Sequence, residues 1–392
     1  MSDKNKTWWA PERLDKDAAI LALRSKARAQ ISKFFDAQHF VEVETPALQI
    51  SPGMEPHIAA FATRLMPPGA AFADTQPTNI NIEGVKPETG QQFYLHTSPE
   101  FAMKKLLAGG LEQIWQFTKC YRNGEATSLH HPEFTMIEWY RATAQQDKKY
   151  RATAQQDHKY QQEQLAAEQA TLEDIKLDLL ALIRRVSGLS KDHLLHYKGK
   201  TSDPFKDWQV LSVAQAFDEY AQLDLEALIG SNVENPCVEA IAIAAQKLEI
   251  NVSADDQFED VFFKIMGMVI EPKLGSPVPT LLTHYPISMA ALARPYENDA
   301  RWAERFELFI NGVELANGFG ELTDPDEQRR RFVKDQQLKQ KLYGVYYPID
   351  EDFIESLEHI QAAAGIALGF DRLVMLLGDA DHIHQALWAW VD

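Results

Sequence analysis

The sequence predicts a chain of mixed helices and strands, and three observations carry that prediction. Amphipathic or Gln/Glu/Ala/Leu-rich stretches recur with helical spacing, two pairs of strand-like segments read as hairpins, and the chain ends in a Gly-punctuated strand-to-helix segment. With 392 residues, 45% hydrophobic and 24% charged, the composition is that of a globular protein and excludes a disordered or collagen-like chain. The length allows two or three domains, or one large domain with insertions.

The first predicted element is an amphipathic helix from about Asp17 to Ala37, with Ile20, Leu23, Ala27, Ile31, Phe34 and Phe35 on one stripe. FVEVETPAL then alternates like a strand and stops at Pro46. Residues 66–90 are rich in Pro, Gly, Thr and Asn and read as a long loop or ragged hairpin. Thr97-Ser98-Pro99-Glu100 starts a helix that should end at Gly109-Gly110. Residues 113–142 read as strand, loop, strand. Residues 141–160 carry a tandem repeat, RATAQQDKKY then RATAQQDHKY, too short for a solenoid unit. Helix is predicted for 161–186, loop for 188–207, mostly helix for 210–270. A hairpin is predicted from Ala303 to Thr323 around Asn311-Gly312. GIALGFDRLVMLLG closes the chain as strand and helix.

Three segments could carry chemistry. In the first, Gln116, Thr118, Cys120 and Arg122 alternate onto one strand face, and Phe134, Met136, Glu138 and Tyr140 onto one face of the next. Together with His130, these residues suit a phosphate, a base and an amine. A half-buried hairpin with a salt bridge fits the spacing equally well. In the second, pairing Phe309 with Glu314 and Glu307 with Ala316 makes the two glutamates diagonal neighbours. They are either a solvated acidic face or oxygen ligands for Mg²⁺ bridging to phosphate. Asn317 and Glu321 join that face only if a bulge near Ala316 to Gly318 resets the register. In the third, Arg372 starts an apolar helix, where either Asp371 or a bound phosphate is its partner.

In this order the segments resemble motifs 1, 2 and 3 of class II aminoacyl-tRNA synthetases: the first helix with FVEVETP, then YRNGE…HHPEF, then ALGFDRL. TSPEFAMKKLLAGG, HHPEFTMIEWY and ELANGFGELTD resemble the lysyl-tRNA synthetase subclass. The resemblance runs over nearly the whole chain from about residue 17. Two features point to a truncated paralogue of that subclass, the elongation factor P–(R)-β-lysine ligase family. Motif 1 begins too early to leave room for the synthetases' OB-fold anticodon-binding domain. The pocket segments read TSPE and GxALGxDR, with Ser98 and Ala367 where the synthetases usually have Ala and Gly.

The resemblance implies an α+β fold, a class II synthetase-like, mainly antiparallel sheet flanked by helices with no N-terminal OB-fold domain. It implies one catalytic domain over 1–392 with insertions at about 66–90, 141–160 and 188–207, dimeric through motif 1 with Pro46 at the interface. It implies ATP and Mg²⁺, activation of (R)-β-lysine as an adenylate, and transfer to a lysine side chain of elongation factor P. Arg122 and Arg372 would be the catalytic groups and hold the α- and γ-phosphates. Phe134 would stack on adenine, His130 would touch the triphosphate tail, and Gly369 would belong to the ATP site. The class motif has Glu two residues after Arg122; here that place is Gly124, and Glu125 would substitute. Glu307 and Glu314 would hold the metal. Glu100, Glu138, Tyr140, Asn317 and Glu321 would surround the amino acid, with Ser98 and Ala367 shaping its amine end.

Lys+Arg total 39 and Asp+Glu 57, a net charge of −18 that disfavours general nucleic-acid binding. Two cysteines, Cys120 and Cys237, exclude a disulfide scaffold. No signal peptide and no membrane span is predicted, so the expected setting is the cytoplasm, with no tRNA and no membrane as partners. A stand-alone lysyl-tRNA synthetase-like enzyme is the first alternative, disfavoured by the charge and the missing anticodon domain. A regulatory paralogue without catalysis is the second. It is disfavoured by the retained arginines and glutamates and supported only by the displaced motif 2 Glu.

Overall fold

The computed structural model describes residues 8–66, 90–143 and 158–391, with only the backbone course for 158–170. The strands are β1 Val41–Glu42, β2 Leu48–Gln49, β3 Ala62–Leu65, β4 Gln91–Leu95, β5 Gln113–Tyr121, β6 Glu133–Ala142, β7 Leu195–Tyr197, β8 Lys200–Ser202, β9 Gln209–Ser212, β10 Thr280–Pro286, β11 Trp302–Ile310, β12 Val313–Gly320 and β13 Ala363–Gly369. Eight of them form one sheet in the order β1-β5-β6-β13-β12-β11-β10-β9. Its interior pairings are antiparallel, and a parallel strand closes each edge. The late strand β13 therefore sits in the middle, between elements made much earlier.

Helices cover one face. Ala27, Ile31 and Phe35 of the helix Pro11–Ala37, Leu179 and Leu182 of the helix His158–Ser187, and Phe370 and Val374 of the helix Phe370–Gly378 share a core with Trp139, Ile366 and Leu368 of the sheet. A second core packs the helices Val238–Lys247 and Phe258–Ile265 against β10. A third stacks Phe101 on Phe353 at 4.3 Å, beside Phe332 of the helix Pro325–Tyr343.

Several elements depart from the sequence expectation. The first helix begins at Pro11, because proline at the first turn needs no N–H partner. FVEVETPAL is not one strand: β1 ends at Glu42, and the backbone N–H of Thr45 then turns to the Gln116 side chain at 3.1 Å. The segment 188–207 is not a plain loop. It holds the hairpin β7–β8, turned by Lys198 and Gly199 at φ 47° and 77°. The segment 210–270 opens on a strand, β9, before its helices. Leu65 pairs with Gln91, so the chain on either side of the Pro/Gly-rich stretch is a hairpin. The stretch itself, from 67 to 89, and most of the tandem repeat, from 144 to 157, lie outside the described residues.

Candidate active site

The face of the sheet opposite the first helix carries a cavity of about 450 Å³. Strand alternation decides what lines it. On β6, Ile137 and Trp139 go to the helical core, while Phe134, Met136, Glu138 and Tyr140 face the cavity. On β13, Ala364 and Leu368 go to the core, while Gly365, Ala367 and Gly369 line the cavity. The register sets Ala367 between Glu138 of β6 and Asn317 of β12.

The hairpin β11–β12 turns at Asn311-Gly312, with φ 54° and 82°. Phe309 pairs with Glu314 as expected, but Glu307 pairs with Asn317 and not with Ala316. The extra residue is Leu315, a step nearer the turn than the expected bulge. The bulge brings Glu314 and Asn317 to the cavity beside Glu307 while Val313, Leu315 and Ala316 join the core. Gly318 serves a different purpose: a Cβ there would lie 2.4 Å from the Phe306 ring. The expected range, Ala316 to Gly318, begins one residue past the bulge.

Around Glu138, Ser98 Oγ donates to Oε1 at 2.5 Å and Tyr140 OH donates to Oε2 at 2.9 Å. Burial, and then the charge of Glu100, push the Glu138 carboxyl up to about 8. Of the residues expected at this site, only Glu321 does not line the cavity. It lies against Lys104, a side chain 1% exposed whose Nζ is 2.5 Å from Glu100 Oε1 and 2.5 Å from Glu321 Oε2. Burial alone would lower Lys104, but the two carboxylates outweigh it and hold the ammonium well above its ordinary range. Lys104 was not anticipated. Its signal was Glu100 and Lys104 four apart on a helix whose neighbouring residues are apolar.

Elsewhere in the cavity, the Arg122 guanidinium lies 5.1 Å from the Phe134 ring centroid and 3.9 Å from Glu125. Glu125 thus meets Arg122 from the position after Gly124, whose φ of 86° suits glycine. Arg372 is not paired with Asp371. Its Nη1 donates to the Glu314 carbonyl at 2.7 Å and its Nη2 to His130 Nε2 at 2.6 Å. Because a guanidinium only donates, His130 Nε2 accepts, and Nδ1 carries the proton toward Thr127 Oγ1 at 2.8 Å. Burial, then the Arg372 charge, hold His130 below its ordinary value, which keeps it neutral. Asp371 instead pairs with Arg24 of the first helix and accepts from Thr135 N at 2.7 Å.

The two candidate metal ligands are not an unrelieved pair of charges. Tyr285 OH donates to Glu307 Oε2 at 2.5 Å and Arg305 Nη2 to Oε1 at 2.6 Å, fixing a buried carboxylate whose pKa burial raises. Glu314 is far more open, its side chain 41% exposed. Glu271 also lines the cavity, and burial, then Glu307 and Glu314, lift it to about 7. No cluster of three or more acidic, His or Cys side chains poised for a metal occurs among the described residues.

One cavity thus joins Arg122 and Arg372, the Phe134 ring and the carboxyl groups of Glu100, Glu138, Glu307 and Glu314. The chain belongs to the class II tRNA synthetase family (D, K and N), whose model matches residues 5–388. It is 33% identical to the Elongation factor P–(R)-β-lysine ligase of Pseudoalteromonas translucida over 384 residues, covering 97% of this chain and 96% of the relative. It is 34% identical to the protein of that name from Photorhabdus laumondii, with the same coverage, and 32% identical to that of Proteus mirabilis. No helix among the described residues is long and apolar enough to cross a membrane.

Proposed function

We propose that this chain is an ATP-dependent ligase that activates (R)-β-lysine and transfers it to a lysine side chain of elongation factor P. The observation that carries the reading is the amino-acid end of the cavity. There Glu138 is bonded by Ser98 and Tyr140 and lies across the sheet from Ala367, in one space with Arg122 and Arg372. The relatives named for this activity, alike over nearly the whole chain, support it.

Ligases of this class generally use ATP and Mg²⁺. The donor set fits the metal: Glu307 and Glu314 are hard oxygen ligands on one face, one rigid and one open. When bound, Mg²⁺ supplies positive charge against the phosphates. Glu138 and its partners orient the substrate's ammonium side. In this reading Arg122 neutralises charge on the α-phosphate as the substrate carboxylate attacks it in line and pyrophosphate leaves. Arg372, steadied by neutral His130, holds the γ-phosphate. The acceptor amine then attacks the mixed anhydride, forming the amide and releasing AMP. Positioning and electrostatics carry the rate, and no protein nucleophile takes part.

The test combines pyrophosphate exchange with (R)-β-lysine and α-lysine, mass spectrometry of elongation factor P, and tRNA charging. The expected result is exchange favouring (R)-β-lysine, a mass increase on the factor, and uncharged tRNA. Efficient lysylation of tRNA would replace this reading with a stand-alone lysyl-tRNA synthetase-like enzyme.

A further inference from the structure

The loop between β5 and β6, residues 122–132, carries Arg122, Glu125 and His130 into the cavity. Its turn closes on itself, Thr127 N donating to the His130 carbonyl at 3.1 Å, and Leu129 packs against the helical core. The polar bonds that orient the turn come from two other places. One is Arg372, which donates to His130 Nε2 at 2.6 Å. The other is the C-terminal segment. Ile383 N donates to the Ser128 carbonyl at 2.8 Å, and Val391 N donates to His131 Nε2 at 3.0 Å. These two bonds bracket His130, one two residues before it and one a residue after. Because a backbone N–H only donates, His131 Nε2 accepts. Its Nδ1 then carries the proton and donates to the carbonyl of Glu133, the first residue of β6, at 2.5 Å. The His131 ring is 4% exposed and has both nitrogens committed. The C-terminal segment is itself anchored. The Trp390 ring stacks on His384 at 4.6 Å, and the Arg13 guanidinium lies 4.8 Å from the Trp390 centroid. Arg13 also donates to the His384 carbonyl at 2.9 Å, and Arg24 to the Ala386 carbonyl at 3.1 Å.

We propose that residues 383–391 form a strap that orients the ATP loop, and that His131 is the positioning residue through which the strap acts on His130 and Arg372. No step of the proposed reaction uses His131, and Val391 does not line the cavity. The strap orders the loop before a nucleotide arrives, so binding does not have to freeze it. Slackening the strap therefore weakens ATP and leaves the amino-acid pocket alone, because Glu138 is held by Ser98 and Tyr140 through bonds of their own. This inference rests on the proposed placing of ATP at Arg122 and Arg372.

The experiment compares Val391→Pro, which removes the donating N–H, with Val391→Ala, which keeps it. The Val391 side chain is exposed, so neither change opens a cavity in the core. Calorimetry gives Kd for ATP, pyrophosphate exchange gives KM for ATP and for (R)-β-lysine, and a melting curve reports folding. Val391→Pro should weaken ATP on both measures by roughly 3- to 10-fold, the usual size of one hydrogen bond. KM for (R)-β-lysine and the melting temperature should stay at wild type, and Val391→Ala should match wild type throughout. His131→Phe keeps a ring but accepts no bond, and should weaken ATP at least as much. Adding Val391→Pro to it should cost nothing more, because both changes remove the same bond. Should His131→Phe fail to fold, the proline and alanine variants decide alone. Equal ATP affinity in those two, or losses that multiply in the double variant, overturns the strap. A parallel rise in both KM values overturns it as well and makes the segment packing only. A wild type without affinity for ATP would sink the proposed function and this inference with it, whereas a wild type that binds ATP as tightly as Val391→Pro sinks the strap alone.

Discussion

Glu138 is a carboxylic acid held mainly neutral at pH 7 in the free protein, because burial and then Glu100 raise it from the ordinary 4.5 to about 8. A folded value above the unfolded one contributes stability that is fully present below about pH 4.5 and is lost as pH rises through 8. An ammonium ligand reverses the preference, so binding at pH 7 should expel a proton. Calorimetry in phosphate and in Tris should therefore give binding heats that differ by most of the difference between the two buffers' protonation enthalpies. Equal heats would show Glu138 already ionised. At the metal pair, Glu314→Gln keeps size and removes charge. Pyrophosphate exchange should fall roughly 100-fold or more in a folded protein, the scale of one electrostatic contact to a transition state. Near-wild-type exchange would remove Glu314 from the metal site. Ala367 lies across from Glu138, so Ala367→Gly should shift the kcat/KM ratio toward α-lysine by about 10- to 200-fold, the worth of one methyl in a pocket. An unchanged ratio would move selectivity to Ser98. At this scale, residues that share a strand face were legible, because alternation alone brings Phe134, Glu138 and Tyr140 together. Lys104, Arg305 and Tyr285 were not: their roles come from partners on other elements, and a Glu–Lys pair four apart normally marks a solvated helix face.

Among elements, β13 shows how much one glycine in a strand can do. A Cβ at Gly365 would fall 2.1 Å from Tyr140 Cε1 and 2.6 Å from Glu321 Oε1. Gly365→Ala should thus push Tyr140 off Glu138, lower stability by about 1–3 kcal/mol as overpacking does, and raise the amino-acid KM. A melting curve and exchange kinetics check both, and an unperturbed KM would mean that Tyr140 has room to yield. The tandem repeat bears on a simpler expectation: deleting residues 151–160 removes a polar copy and no site residue, and should leave a folded, active enzyme. The Asn311-Gly312 turn was readable because two positive-φ positions demand such residues. The bulge was not, since bulge glycines and close-approach glycines look alike in sequence. The β7–β8 hairpin escaped for a similar reason: Lys198 at positive φ carries no turn signature.

For the whole molecule, Val41, Leu48 and Ile50 are exposed on the chain around Pro46. A dimer through that surface is expected, and sedimentation should give twice the 44.5 kDa chain mass, with Leu48→Asp/Ile50→Asp shifting it to the monomer. A wild-type monomer would contradict it. The order of layers was legible only through the resemblance, because no local pattern says that β13 inserts between β6 and β12. That insertion has a consequence for biosynthesis. Until residues 363–369 leave the ribosome, the native pairings open to the nascent chain stop at two half-sheets, each with a bare antiparallel edge, β6 on one and β12 on the other. At about 5–20 residues per second, those edges wait for seconds in a form that other strands can join. A chain stalled before β13 would carry most of the site residues and no assembled cavity, and should be a client of the ribosome-associated chaperones.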